Sequence, residues 1–485
     1  MTAMRGAHSF FSYVSLMMLA YGAWLRYYER IISTMQIPTL LLLLVGVCGS
    51  LWAQVPKGLN TQIQTVVAGV SSDRIAEIQE KLESFETRNI YSATDDPEHG
   101  VGAAREWIAQ QFKSYSPKLE VSFDKHRLAK QGRAFRNVEI WNVVAVLKGT
   151  SEPDEQVLVS GHYDTINLTY KQNANGQREL DGPATAAALA PGVTDDGSGT
   201  AAVMELARVM SQFQFRKTIV FVAFAAEEYG LFGSGLYAQD AAARHDQIEA
   251  VFNNDIIGSD VTGNGETSNR YVNVYSEDPN DSPSRQVARY MKAAAERYQP
   301  GFAVNLVFRH DRFGRGGDHS PFNAEGFAAV RVTTPMENFA NQHTANDTFA
   351  NTAPKYTDLV AKANAAAIAE LASAPRAPEI RTPAPTEGRA FSSPLTRGSG
   401  YDAVLTWHND KAESDLAGYA VVMRKTTSAD WEREIFVGNV THYTIENVNI
   451  DEIAVGVKAI DRDGNESLVS AFTTPKYQPR KIETY

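Results

Sequence analysis

One cysteine, Cys48, stands among 485 residues. It falls in a segment expected to be removed on export, so the mature chain is read as having no thiol at all. A disulfide framework, thiol catalysis and a cysteine-bound structural zinc are thereby excluded, and any metal must be held by His, Asp and Glu. Dense basic clusters are missing as well. Lys+Arg number 46 against 57 Asp+Glu, a formal net charge of -11. No face rich in Lys or Arg is available, so no nucleic-acid partner is expected, and the acidity reads as solubility. Nor is there an uninterrupted apolar run long enough to cross a bilayer comfortably. The run at 40–47 (LLLLLVGV) is too short for that, but it suits the core of a signal peptide cleaved near Ala53. Met35 begins a more normally proportioned signal peptide than Met1, with residues 1–34 a candidate start-site artefact. The expectation is an exported chain, secreted or periplasmic. Membrane contact arises only if the N-terminal segment stays uncleaved.

What is present is globular: 43% hydrophobic and 21% charged residues, over a length that predicts two or three domains. After a signal-peptide region at 1–53 and a lead-in at 54–71, Ile75, Ile78, Leu82 and Phe85 recur at helical spacing. A second helix is expected over 102–115. Strands follow at 142–147 (NVVAVL) and 156–160 (QVLVS), and then the chain alternates: helix 200–213, strand 218–225 (TIVFVAFA), helix 234–244, strand 250–257. Further strands at 271–275 and 328–333 and a long helix at 357–371 close the unit. Such alternation predicts an α/β domain over 72–374, with a mixed, mostly parallel central sheet flanked by helices. Residues 375–400, carrying Pro375, Pro378, Pro383, Pro385 and Pro394, read as a linker. Short alternating strands at 403–407, 418–424, 443–445 and 453–460 then predict a small all-β sandwich over 401–485.

The residues able to carry chemistry sit at strand ends. Strand 156–160 leads to His162 and Asp164, strand 218–225 to Glu227-Glu228, and the strand from 250 to Asp255. In an open α/β sheet, functional groups collect beyond the carboxyl ends of the strands, so these three ends form a cluster inferred from pattern alone. Asp195-Asp196 before Gly197-Ser198-Gly199 is ambiguous by itself, because acidic residues commonly cap helices. A glutamate pair directly after an apolar strand is harder to explain as solvated surface. Together, His162, Asp195, Glu228, Asp255 and His343 supply one bridging carboxylate, two histidines and two further carboxylates, which is what a two-metal site requires. Spacing alone does not say which of Glu227 and Glu228 is the ligand.

The stretches that carry a resemblance are His162-Tyr163-Asp164, Pro191-Gly192-Val193-Thr194-Asp195-Asp196-Gly197-Ser198-Gly199, Phe224-Ala225-Ala226-Glu227-Glu228-Tyr229-Gly230-Leu231-Phe232-Gly233-Ser234, Asn254-Asp255-Ile256-Ile257-Gly258, Asp318-His319-Ser320-Pro321-Phe322, and His343-Thr344 with Asp347-Thr348. In this order, across residues 72–374, the chain resembles the co-catalytic zinc peptidases typified by bacterial leucyl aminopeptidase and aminopeptidase Y, a group that includes glutamate carboxypeptidases and glutaminyl cyclases. The resemblance implies the zinc exopeptidase fold and two zinc ions acting on a peptide substrate. It places His162 and Asp255 on one ion, Glu228 and His343 on the other, and Asp195 between them with a cis Asp195-Asp196 bond. It makes Glu227 the general base and has the Asp164 carboxylate accept a hydrogen bond from the His162 imidazole. Trp407, Gly418-Tyr419 and Val457-Lys458-Ala459-Ile460-Asp461 with Gly464-Asn465-Glu466-Ser467 resemble a fibronectin type III domain. Ile453 stands where that family usually has a tyrosine.

The expected activity is an aminopeptidase. A carboxypeptidase or dipeptidase is the main alternative, and a glutaminyl cyclase or a non-catalytic receptor-like protein the lesser ones. The long segment between Asp164 and Pro191 reads either as a solvated insertion or as a rim on the cleft. His310, Asp311, Arg312, Arg315, Asp318 and His319 read either as a carboxylate-recognising group or as a structural ion network, with Asp318 and His319 behind the ligands. A chain ending at Ala374 is expected to remain active on small amides.

Overall fold

The computed structural model describes residues 58–382, 395–397, 401–409 and 413–472. The expected signal-peptide region at 1–53 lies outside the described residues, Cys48 included, as do parts of the expected linker and sandwich.

Three helices come first: α1 (Thr61–Gly69), α2 (Ser72–Glu83) and α3 (Gly100–Tyr115). Asn60 caps α1 by accepting from the N–H groups of Gln62 and Ile63, and Ser71 caps α2 through the N–H of Arg74. Strands β1 (Leu119–Leu128), β2 (Val138–Leu147) and β3 (Glu152–His162) lead to a small exposed hairpin, β4 (Tyr170–Gln172) with β5 (Arg178–Leu180), and a short helix α4 (Gly182–Ala187). Then follow α5 (Gly197–Met210), β6 (Lys217–Phe224), α6 (Phe232–Arg244), β7 (Gln247–Asn254), β8 (Tyr271–Ser276), α7 (Pro283–Tyr298), β9 (Ala303–Val307), α8 (His319–Ala324), β10 (Ala329–Thr333) and α9 (Pro354–Ser373).

The strands form one eight-stranded sheet in the order β1-β2-β6-β3-β7-β10-β8-β9. Its centre, β6-β3-β7-β10, is parallel, and β8 and β9 are parallel to each other. The β1-β2, β2-β6 and β10-β8 pairs are antiparallel. In strand β6 the run from Ile219 to Phe224 is continuously apolar. Ile219, Phe221 and Ala223 pack with α1, α2, α3, α5, α7 and α9 on one face, while Val220, Val222 and Phe224 pack with α6 and α8 on the other. A strand covered on both faces has no solvent side to write in polar residues.

The C-terminal region is all β: β11 (Glu379–Ile380), β12 (Leu395–Arg397), β13 (Ala403–His408), β14 (Leu416–Lys425), β15 (Arg433–Gly438), β16 (His442–Ile445), β17 (Ile453–Asp461) and β18 (Ser470–Ala471). One sheet runs β11-β13-β12 with β16 also on β13, the other β15-β14-β17-β18. Between them Trp407 is fully buried, its ring 5.6 Å from that of Tyr419. Strands β11 and β12 fall inside the segment read as a linker, and α1 inside the lead-in. Among the described residues, no helix is long and apolar enough to cross a membrane.

Candidate metal centre

Strands β6, β3 and β7 lie side by side, with His162 in register with Phe224. Their carboxyl ends therefore bring together His162 at the end of β3, Glu227-Glu228 after β6 and Asp255 after β7. Asp195 comes from the loop before α5, and His343 from the loop between β10 and α9. Asp196 ties three of these pieces together. Its carboxylate accepts from the N–H of Gly199 at the start of α5 (2.8 Å), of His162 (3.1 Å) and of Ile256 (3.2 Å). The start of α5 lies so close to β7 and β3 that a Cβ at Gly199 would meet the Asn254 carbonyl at 2.3 Å, and one at Gly161 the Gly199 carbonyl carbon at 2.6 Å. Ala226, Ile256 and His343 all hold left-handed φ, at 63°, 58° and 57°. For non-glycine residues this conformation costs energy and is kept only where the surroundings enforce it. The Asp195-Asp196 peptide is cis.

All five expected ligands converge. His162 Nε2 faces Asp195 Oδ1 at 3.2 Å and Asp255 Oδ1 at 3.7 Å. His343 Nε2 faces the other Asp195 oxygen and Glu228 Oε2, each at 3.1 Å. Around a tetrahedral zinc with bonds of about 2.0–2.1 Å, neighbouring ligand atoms stand about 3.3 Å apart, so these separations suit ligands converging on a cation. His162 Nε2, Glu228 Oε1 and Asp255 Oδ1 are buried and make no hydrogen bond. Polar atoms are rarely left so without an ion or water to serve, and this chemistry is that of a metal site. Glu227 lies farther off, with Oε2 4.0 Å from His162 Nε2, and is the more exposed of the pair, at 13% against 3% for Glu228.

The electrostatics point the same way. Burial works against a charged His162, yet the carboxylates of Glu227, Asp195 and Asp255 push its imidazole well above the usual range. Against burial again, Glu228 and Asp195 raise His343 to about 11. A pocket holding this many carboxylates demands positive charge. Burial drives the Glu227 carboxyl well above its ordinary value, with Asp255 and Glu228 adding to the effect against the pull of His162. Burial would also raise Asp255, but Arg331 and His162 hold it at about 2.

The structure corrects one assignment. The His162 imidazole faces the backbone carbonyl of Asp164 (Nδ1 to O, 3.1 Å), while the Asp164 carboxylate is 3.7 Å away. That carboxylate instead accepts from the N–H groups of Glu227 (3.0 Å) and Glu228 (3.4 Å). Asp164 thus holds the glutamate turn, because the chain reverses over it after β6. The arginine segment is largely an ion network. Arg312 and Arg315 both pair with Glu337, at 2.6 and 2.5 Å, though both still line the cleft. Asp318 bonds Ser234 at 2.5 Å, and His319 is fully buried against the His310 carbonyl at 2.9 Å.

Several residues escaped the sequence reading. Arg331, fully buried in β10, grips the outer oxygen of Asp255 at 2.6 Å. The signal for it was an arginine inside the apolar strand AVRVT, which only a buried counter-charge explains. Gln342 donates to Asp195 Oδ2 at 2.8 Å, and Arg133 reaches from the β1-β2 turn to the Glu228 carbonyl at 2.8 Å. A cleft of about 460 Å³ opens over the group, lined by Asp195, Glu227, Glu228, Asp255, His343 and four arginines, Arg133, Arg312, Arg315 and Arg331.

Comparison with known proteins agrees with this chemistry. Residues 142–368 match the model of peptidase family M28. A protein of Pyricularia oryzae named "Probable zinc metalloprotease" is 34% identical over 451 residues, covering 86% of this chain and 84% of that protein. A probable zinc metalloprotease of Leptosphaeria maculans is 32% identical over 440 residues, covering 84% and 95%. Among solved structures, LapB from Legionella pneumophila superposes with a TM-score of 0.49 at 21% identity, over 66% of this chain and 77% of that one. With the family match falling on the strands that carry these ligands, and relatives above 30% identity aligned over most of the chain, this protein belongs to peptidase family M28 and is a zinc metalloprotease.

Proposed function

We propose that the protein is a two-zinc exopeptidase, an aminopeptidase removing N-terminal residues from peptides. The observation that carries the two-ion reading is the Asp195 carboxylate, which turns one oxygen to His162 and the other to His343. His162 and Asp255 would hold one ion, Glu228 and His343 the other, with Asp195 shared. Zinc held there supplies an acidified water and polarisation of the scissile carbonyl. Glu227, set back from the ligands and facing the cleft, takes the proton from the water and returns it to the leaving amine. Asp164 keeps Glu227 in place through the Glu227 N–H. Arg331 fixes Asp255 by occupying its outer oxygen.

Metal analysis and a dipeptide panel test the proposal. Two zinc ions per chain and cleavage that requires a free amine are expected. One ion per chain would sink the shared-carboxylate reading, and cleavage of acetylated but not carboxyl-blocked dipeptides would turn the assignment to the second reading. That reading, a carboxypeptidase or dipeptidase, is favoured by Arg133 and Arg315 on the cleft wall, where they suit a substrate carboxylate. The C-terminal sandwich, with Trp407 packed on Tyr419, is proposed as fibronectin type III-like, and the apolar run at 40–47 supports export.

A further inference from the structure

The shared carboxylate hangs from a loop, 191–196, and a catalytic constellation must be held to within about 0.5 Å by its supporting groups. The support comes from the connection between α2 and α3. Arg88 is fully buried there, and its guanidinium donates to four backbone carbonyls. Nε reaches Tyr163 at 2.6 Å, Nη1 reaches Pro191 at 2.6 Å and Leu82 at 2.9 Å, and Nη2 reaches Gly192 at 2.7 Å. None of these acceptors is a carboxylate. Burial lowers the guanidinium to about 10, and the charges that answer it act through space: Asp347, Asp164, Asp196 and Asp195. On the far side of the same loop, Asp347 accepts from the N–H groups of Thr194 and Asp195, each at 2.9 Å, while its carbonyl accepts from Val193 at 3.0 Å.

We infer that Arg88 is a positioning residue for the shared carboxylate: with Asp347 it clamps the 191–195 loop from both sides and so sets Asp195 between His162 and His343. The inference rests on the two-metal reading above. One guanidinium also joins Tyr163, the neighbour of His162, to the loop that carries Asp195, so it registers a histidine against the carboxylate that histidine must share an ion with. Only a planar fork with donors on three nitrogens spans carbonyls from three separate segments. A lysine ammonium, a compact point charge with three donors, does not.

The test is zinc affinity by chelator competition, alongside kcat, KM, circular dichroism and thermal melting, in the full chain. R88K keeps the charge and loses the fork. It is expected to fold, to bind zinc roughly tenfold to a hundredfold more weakly, as loss of a group behind the ligands does, and to lose kcat with little change in KM. D347N should weaken zinc from the opposite side, and R88A should recover zinc binding in dilute guanidinium, which a merely structural defect would not do. If neither Arg88 variant folds, D347N decides: wild-type zinc affinity there overturns the clamp. A zinc-replete wild type with an unaffected R88K overturns the clamp alone. A wild type that holds no zinc overturns the metal reading and the clamp together.

Discussion

Glu227 and Glu228 are adjacent in the chain and differ in what they face. Glu228 Oε2 stands 3.1 Å from His343 Nε2, while Glu227 Oε2 stands 4.0 Å from His162 Nε2 and is the more exposed of the two. Glu227→Gln should therefore lower kcat by roughly 10²–10⁴, the contribution of a positioned base, with zinc content measured by atomic absorption unchanged. Loss of zinc in that variant would exchange the two roles. His319 gives a pH dependence. Burial holds its imidazole at about 4, against an ordinary 6.5. The unfolded chain binds a proton there that the folded chain refuses, so this contribution is present above about 6.5 and is lost as pH falls towards 4, up to about 3 kcal/mol in all. Urea denaturation of metal-free protein at pH 7 and pH 4.5 should show a smaller fall in stability for His319→Gln than for wild type; equal falls would remove the assignment. At this scale the candidate ligands were legible because each stands next to an apolar strand or inside a recognisable stretch. Arg88 and Arg331 were not. Apart from Leu82, the partners of Arg88 lie about 75 to 100 residues away, and that of Arg331 lies 76 away; an arginine in an apolar strand marks Arg331 as paired, but local pattern does not say with what.

At the scale of elements, the central parallel strands were readable for the reason β6 illustrates: both faces are buried, so the run from Ile219 to Phe224 is apolar throughout. Strand β1 was not, because its sequence LEVSFDKHRL belongs to an edge and only its two end residues are fully buried. Helix α7 hid behind Arg285 and Arg289, which are buried yet charged, so its apolar stripe is broken in sequence though continuous in space. The insertion after Asp164 resolves into a hairpin, β4-β5, that supplies no residue to the cleft wall. Its base is different: the Leu168 N–H donates to the His343 carbonyl at 3.2 Å. Replacing 171–179 by a tight turn should leave the ratio of kcat/KM values across the dipeptide panel unchanged, since Tyr170 and Leu180 already face each other. A changed preference would make the hairpin a rim of the site. Leu168→Pro, by contrast, removes the donor behind His343 and should weaken zinc.

The whole molecule departs most from the sequence reading at the junction of its two regions. A proline-rich stretch read as a linker, because composition reports local stiffness and says nothing about what docks on what. In the structure, Arg216 of the peptidase region pairs with Glu413 at 3.1 Å and Asp415 at 2.7 Å. Arg297 bridges Glu370 of α9 at 2.6 Å and Glu466 of the β region at 3.3 Å. Arg376 clamps Glu152 at 2.6 Å and Glu155 at 2.7 Å, and the Arg289 guanidinium donates to the Ala429 carbonyl at 2.6 Å. Leu468 joins the main hydrophobic core outright. A chain ending at Ala374 would lose Arg376 and the β-region partners of Arg216, Arg289 and Arg297, and it would bare the core against which Leu468 packs. Arg216 keeps Glu152, Arg289 keeps Asn280 and Arg297 keeps Glu370. The freed charges reach water and cost little singly, but the bared core and the lost pairs together draw on the about 5–15 kcal/mol that holds a typical domain together. The truncated chain is therefore expected to be poorly soluble, or to melt far below the full-length protein, even though the whole candidate metal centre lies within it. Expression to Ala374 followed by a thermal melt and an assay on a small amide decides the matter. Cooperative folding with full activity would make the β region a dispensable appendage, while an unfolded product rescued by co-expressing 375–485 as a separate chain would show that the ion pairs and Leu468 brace the peptidase without any covalent tether.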